Sequence, residues 1–342
     1  MKVHARRAAL LALAICLVPS VSLAKQPAGT GSTATGQVFL PNPVASGGSP
    51  NLTDDKDRDS AALAAQYRTV TLTNLDGSGY LCGDWACVVS ETGTPAYSTD
   101  ATFVFPRSDD RFEQVMGYYW TTQAQLYLRS LGFGSTYPGI NDEEPQAIRI
   151  NQWGVDNSFA TTHPKDEMRF GKGGVDDAED AEVILHEYGH QIHFSQSATW
   201  FSSREAGSIS EGFGDYWAFS VSEWVSGSQP DPACIAEWDA TSYDSNPANG
   251  ICLRRIDSGL TYPDDLLGEV HADGRIWSQA LYDIHLALGG PVADTIILNA
   301  GFDWTGTTMP DLAERTVAAA QSLYGSAAAA AVTAAFEARG IL

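Results

Sequence analysis

The segment His186-Glu187-Tyr188-Gly189-His190 sets two imidazoles four residues apart, a spacing that puts both on one helix face and lets them grip a single metal ion. Glu187 follows the first imidazole on the same turn, where its carboxylate can accept a proton from a water held by that metal. This chemistry needs a helix. From Asp177 to Gln196 there is no proline, acids crowd the first turn, and Val183, Ile184 and Leu185 precede the histidines, a pattern that predicts a helix buried at mid-length.

A catalytic zinc usually takes three protein ligands and leaves a fourth position to water. His193 lies on the same face as His186 and His190, but seven residues of helical rise, about 10 Å, separate it from His186. Gln191-Ile192 offers no glycine break that would bring it back, so His193 reads as a core or supporting residue. Glu205 in SSREAGS and Glu211 in EGFGDYWAF are the other candidates. Glu211 is preferred because Asp215, four residues on, would share its face and could take the N–H of a ligating histidine. In isolation the two acids equally suit the first turn of a helix capped by Ser208 or Ser210. Following HEYGH at this distance, they read as ligand and orienter.

HEYGH followed by EGFGD resembles the thermolysin and fungalysin group of zinc metallopeptidases, whose third ligand is a glutamate in an ExxxD motif. Phe170 to Asp177 (FGKGGVDD) and Val270 to Trp277 (VHADGRIW) are similar to fungalysin-like sequences, placing the chain on the fungalysin side. The resemblance implies one catalytic Zn2+ held by His186, His190 and Glu211, with Glu187 as general base and His271 as the donor that stabilises the transition state. Asn157-Ser158-Phe159-Ala160 is similar to the family's Asn-Ala-Phe edge strand, which implies that Asn157 and Ser158 contact substrate backbone. The chain departs from the thermolysin pattern where a tyrosine is expected, reading Ala198-Thr199-Trp200-Phe201 instead. Arg254 and Arg255 could hold a substrate carbonyl as the family's arginine does, but an internal salt bridge suits them as well, and they stay outside the expected core site. The acids Asp176, Asp177, Glu179, Asp180 and Glu182 could suit Ca2+, which the thermolysin branch uses near this position, but better suit the positive end of a helix.

Several elements must position these residues. Residues 25–65 are rich in Gly, Pro, Ser and Thr without periodicity and read as an extended arm. Strand signals follow at Tyr67–Leu72, Tyr80–Val89, Ala101–Phe105, Ala147–Trp153 and Glu167–Phe170, interrupted by an amphipathic helix at Arg111–Leu131 closed by Gly132. Helical patterns then dominate at Ser210–Trp224, Arg275–Leu288, Pro310–Tyr324 and Ala327–Ala338. Strands first and helices second predict an α+β fold with two lobes and a cleft between them. Residues 66–196 form the expected N-terminal lobe with mixed sheet and active-site helix, and residues 197–342 the mainly helical C-terminal lobe. The resemblance implies the same thermolysin-like shape.

The N-terminus carries Lys2, Arg6 and Arg7, an apolar run from Ala8 to Val18, and Ser22-Leu23-Ala24, which reads as a signal peptide of residues 1–24. The run is shorter than the ~20 residues of a membrane span, so no membrane anchor is expected. Cleavage would remove three basic residues from 20 and none of the 42 acids, moving the formal charge from −22 to −25. Such acidity argues against nucleic-acid binding. Cys82, Cys87, Cys234 and Cys252 would survive cleavage, and in an oxidising compartment they pair most simply as Cys82–Cys87 and Cys234–Cys252. Fungalysin-like enzymes often carry a large inhibitory propeptide, for which the segment after Ala24 is too short. The expected protein is a secreted zinc metalloendopeptidase, extracellular or periplasmic, acting on protein or peptide substrates. The alternatives are an exopeptidase or amidase of the same chemistry, or a secreted binding module without catalysis.

Overall fold

The computed structural model describes residues 31–48, 52–89, 92–162, 166–197, 200–243 and 251–342. The expected signal peptide, residues 1–24, lies outside them. In chain order the elements are β1 (Ser32–Val38), α1 (Pro43–Gly47), α2 (Ala61–Ala64), β2 (Arg68–Leu75), β3 (Ala86–Val88), β4 (Thr102–Phe103), α3 (Arg111–Ser130), β5 (Gln146–Arg149), β6 (Phe159–Thr161) and β7 (Glu167–Arg169). A 3-10 turn at Asp177–Glu179 leads into α4 (Ala181–Gln196) and α5 (Arg204–Ser226), followed by β8 (Cys234–Ile235), α6 (Glu237–Tyr243) and β9 (Arg254–Arg255). The chain closes with α7 (Val270–Leu288), α8 (Gly290–Gly301), α9 (Met309–Tyr324) and α10 (Ser326–Ala338).

This is the α+β arrangement that the strand and helix signals predict, with most strand in the first half and mostly helix in the second. One sheet has the order β2-β1-β4; the other runs β3-β5-β7-β6, with β6 antiparallel to β7 at its edge. The stretch expected as a featureless arm contains β1, the central strand of the first sheet. Its Ala34, Gly36 and Val38 alternate inward, and an added Cβ on Gly36 would lie 2.8 Å from the Leu72 side chain. Small residues pack tightly there, which hides a period-2 pattern that bulkier side chains would reveal.

Helix α3 buries Phe112, Val115, Met116 and Trp120 against the first sheet and α4. It stops at a Schellman turn: Gly132 has φ 99, its N–H bonds the Arg129 carbonyl, and Phe133 N–H bonds that of Leu128. Helix α4 is buried for nearly its whole length, between α3 and α5. It begins at Ala181, later than the acidic run suggests, because the side chain of Asp180 caps Glu182 N–H at 3.0 Å. Helix α5 begins earlier than expected. Ser203, not Ser208 or Ser210, is its cap, accepting from Ala206 N–H at 2.9 Å, so Glu211 sits two turns inside the helix. Helix α8, bracketed by glycines, has no counterpart among the sequence signals; its Asp294 accepts from Tyr127, Tyr216 and Ser220, tying α3, α5 and α8 together.

Glycines set the helix crossings. An added Cβ on Gly189 of α4 would lie 2.9 Å from the Cα of Gly214 on α5, and one on Gly214 would lie 2.7 Å from the His186 ring. One on Gly212 of α5 would lie 2.2 Å from the Gly274 carbonyl of α7. The disulfides are Cys82–Cys87 and Cys234–Cys252, the expected pairs. No helix among the described residues is long and apolar enough to cross a membrane.

Gly212→Ala is expected to lower stability by about 1–3 kcal/mol despite the better helix propensity of alanine, because backbone must yield to the methyl group. Thermal unfolding should show a depressed Tm for this variant and none for Gly154→Ala, whose added carbon meets nothing within 4 Å.

Candidate active site

The α4–α5 crossing brings His186 and His190 to face Glu211. Nε2 of His186 lies 3.2 Å from Oε2 of Glu211, and Nε2 of His190 lies 3.7 Å from its Oε1. A tetrahedral ion with bonds of ~2.1 Å separates its ligand atoms by roughly 3.4 Å, so this donor set fits zinc in type and spacing.

The other side of each imidazole is already engaged. Asp215, one turn after Glu211, accepts from Nδ1 of His186 at 2.9 Å. Ser210 Oγ is 2.9 Å from Nδ1 of His190 and 3.0 Å from Nδ1 of His193. With the proton of His190 on Nδ1, Ser210 accepts it and turns its own hydroxyl hydrogen to His193, leaving the Nε2 lone pair of His190 able to hold a metal. His193 is stacked between Trp200 and Phe213, with ring centroids 3.6 and 4.3 Å away, and stands outside the His186–His190–Glu211 group. Glu205, the competing ligand, instead accepts from Met309 N–H at the start of α9.

Electrostatics follow burial. Asp215 is 1% exposed; burial opposes its charge, but Arg254 and His186 prevail and hold its carboxyl down to about 2. Arg254 reaches it through two 2.7 Å bonds and places Nη2 3.3 Å from Nδ1 of His186. Burial also opposes a charged His186, yet the bonds to Asp215 and Glu211 raise its value to about 10, while burial lowers His190 to about 4. Glu187 is pushed up to about 7, mainly by burial, and its Oε2 has no hydrogen-bond partner.

A cleft of about 250 Å3 opens onto these groups, lined among others by Asn157, Ser158, Glu187, Arg254 and His271. His271, in the first turn of α7, places Nε2 3.4 Å from Oε2 of Glu211 and gives Nδ1–H to Glu269 at 2.7 Å. Asn157 and Ser158 immediately precede the edge strand β6, and Ser158 Oγ donates to Asp177. Every residue expected at the site therefore gathers in one place.

Sequence reasoning left out Arg254 and Ser210. Arg254 makes the internal salt bridge that was weighed for it and lines the cleft as well, whereas Arg255 pairs with Asp231 and Asp257 at the surface. A buried acid at Asp215 with only a histidine to balance it was a signal that a cation must come from elsewhere. In the stretch where the thermolysin pattern has a tyrosine, Phe201 packs against His190, with centroids 5.8 Å apart, and Ala198 and Thr199 lie outside the described residues.

The five acids weighed as a calcium cluster against charge at a helix start disperse. Glu179 pairs with Arg107 and accepts from Trp238, Asp180 caps α4, and Glu182 accepts from Ala236 N–H. Asp176 joins Asp110 and Glu113, and Asp177 joins Asp156 and Asp239.

A model of the fungalysin metallopeptidase family (M36) matches residues 81–294. Extracellular metalloproteinase 4 of Arthroderma gypseum is 28% identical over 172 residues, 45% of this chain and 25% of that protein. The probable extracellular metalloproteinase 4 of Trichophyton verrucosum is 28% identical over 219 residues, 52% and 32% of the two chains. The match thus spans about a quarter to a third of the length of these relatives. Among solved structures, the precursor of protealysin, a metalloproteinase from Serratia proteamaculans, superposes with a TM-score of 0.52 at 16% identity, covering 66% of this chain and 78% of the other. That likeness shows a shared fold.

Asp215→Asn keeps the side-chain shape but removes the charge between His186 and Arg254. Zinc affinity, measured by chelator competition, should fall about 10- to 100-fold; an unchanged Kd would show that Asp215 does not orient the ligand.

Proposed function

This chain belongs to the fungalysin metallopeptidase family, and from that premise we propose that it is a secreted zinc metalloendopeptidase cleaving internal bonds of protein or peptide substrates. One observation carries the reading: two imidazole nitrogens and a carboxylate converge at tetrahedral spacing, with Glu187 beside the first of them, on a single cleft. His186, His190 and Glu211 are the proposed ligands. When bound, zinc supplies a Lewis acid that polarises the scissile carbonyl and lowers the pKa of water to ~7.

The rest falls to the chain's own groups. Glu187 takes a proton from the attacking water and returns it to the leaving amine. His271 offers Nε2–H to the developing oxyanion while its Nδ1 side is held by Glu269. Asp215 fixes the tautomer of His186, and Arg254 fixes Asp215 in turn. Strand β6 ends its sheet, so its outer edge suits an added strand of substrate backbone, with Asn157 and Ser158 at the beginning of that edge. Residues 66–196 and 197–342 are read as the lobes on either side. The signal-peptide pattern of residues 1–24 and the extracellular relatives support export, extracellular or periplasmic.

Calcium is supported at one group, Asp110, Glu113 and Asp176. Glu113 is fully buried with neither carboxylate oxygen bonded, and one oxygen of Asp176 is likewise unpartnered. Lys172, 3.0 Å from Asp110 and 3.9 Å from Asp176, brings a single positive charge to three acids. Hard oxygen donors of this kind suit Ca2+.

Glu187→Gln should cut hydrolysis of a peptide blocked at both ends by about 100-fold or more while zinc content by atomic absorption is unchanged. Retained turnover would refute the base assignment, and a wild-type protein that cleaves only unblocked peptides would be an exopeptidase. For calcium, millimolar Ca2+ should raise the Tm of the zinc-loaded protein but not that of Glu113→Gln; no shift in the wild type removes calcium from the reading.

A further inference from the structure

The active-site cleft has acids that the hydrolytic chemistry does not use. Asp177 and Asp239 line the same cavity as His186, Glu187, Arg254 and His271. Carboxylate oxygens of these two residues and of Asp156 lie within 4.8 Å of one another. Asp177 and Asp239 are 2% and 3% exposed, and each keeps a buried Oδ1 with no hydrogen-bond partner. Ser158 satisfies the other oxygen of Asp177. Among the described residues, Arg254 lines the same cavity and is committed to Asp215.

We infer that Asp177 and Asp239, backed by Asp156, form an acidic subsite that binds a lysine or arginine side chain of the substrate next to the scissile bond. The inference rests on the peptidase reading above. Clustered carboxylates taken out of water repel one another and lose hydration, and a cationic partner offsets both costs. Burial and the neighbouring Asp156 raise the pKa of Asp177 to about 7, the strain such a partner would relieve. The walls distinguish the ligand. Val183, Ile235, Ala236 and Leu253 line the cavity beside the acids, giving an apolar lining for a methylene stem that ends in a charge. A bare metal ion has no use for such walls, and its site need not open on the reacting groups.

The zinc-loaded wild-type protein would be given a peptide library and its cleavage sites mapped by mass spectrometry, followed by kcat/KM on matched peptides carrying lysine or norleucine at the enriched position. Lysine and arginine should be enriched at one flanking position, with lysine favoured over norleucine by about tenfold or more. Asp239→Asn and Asp177→Asn should bring that ratio toward one. Cleavage without basic preference overturns the subsite and leaves the peptidase reading standing, whereas no peptide cleavage overturns both. A Ca2+-induced rise in Tm that Asp239→Asn abolishes, with no basic preference in the wild type, would make the group a metal site and also overturn the proposal. The wild-type ratio decides even where a variant fails to fold.

Discussion

Everything at the site depends on how closely two helices approach. Where α4 crosses α5, Gly189 faces Gly214 with no side chain between them. Ordinary helix pairs keep their axes 8–10 Å apart, a separation set by the side chains at the contact. Removing those side chains brings the His186 ring against the α5 backbone, where Asp215 reaches one nitrogen and Glu211 faces the other. A similar contact, Gly212 against Gly274, draws the first turn of α7 inward and with it His271. Four of the proposed site residues thus owe their mutual distances to glycines that carry no chemistry.

Close approach also creates an electrostatic debt within the core. Asp215 is buried against His186, and the guanidinium of Arg254 places a fixed positive charge beside it. Removing one member of such a group strands a charge, which costs far more than the intact set contributes. Ser210 plays a quieter part on the other ligand, passing its hydroxyl between His190 and His193. That assigns His193 a definite place. It stands outside the His186–His190–Glu211 group, yet its Nδ1 can take the hydroxyl hydrogen of the Ser210 whose oxygen meets His190.

Residue type and local spacing made HEYGH and the Glu211–Asp215 pair readable, because His186 and His190, like Glu211 and Asp215, sit one helical turn apart; the two pairs meet only where α4 crosses α5. The same spacing could not locate the start of α5, since Ser203, Ser208 and Ser210 are equivalent as cap residues until tertiary packing chooses. Arg254 meets Asp215 across 39 residues of chain, a pairing that exists only once β8 and β9 are formed. Strand β1 was hidden by its small side chains, and α8 by a Gly-Gly-Pro beginning that reads as a turn. The acids before α4 looked like one cluster in the sequence, but consecutive carboxylates point in different directions around a 3-10 turn, and they joined separate groups.

The Cys234–Cys252 bond also ties down the segment that carries Arg254. Cys252 lies two residues before Arg254, and Cys234 pairs with Arg255 across β8 and β9. A single cut anywhere between the two cysteines leaves both new ends covalently joined, so the segment carrying Arg254 cannot diffuse away. Proteolysis between the two cysteines would therefore nick the chain without dismantling the cleft, and a preparation could look fragmented under reducing electrophoresis while His186, Asp215 and Arg254 stayed together.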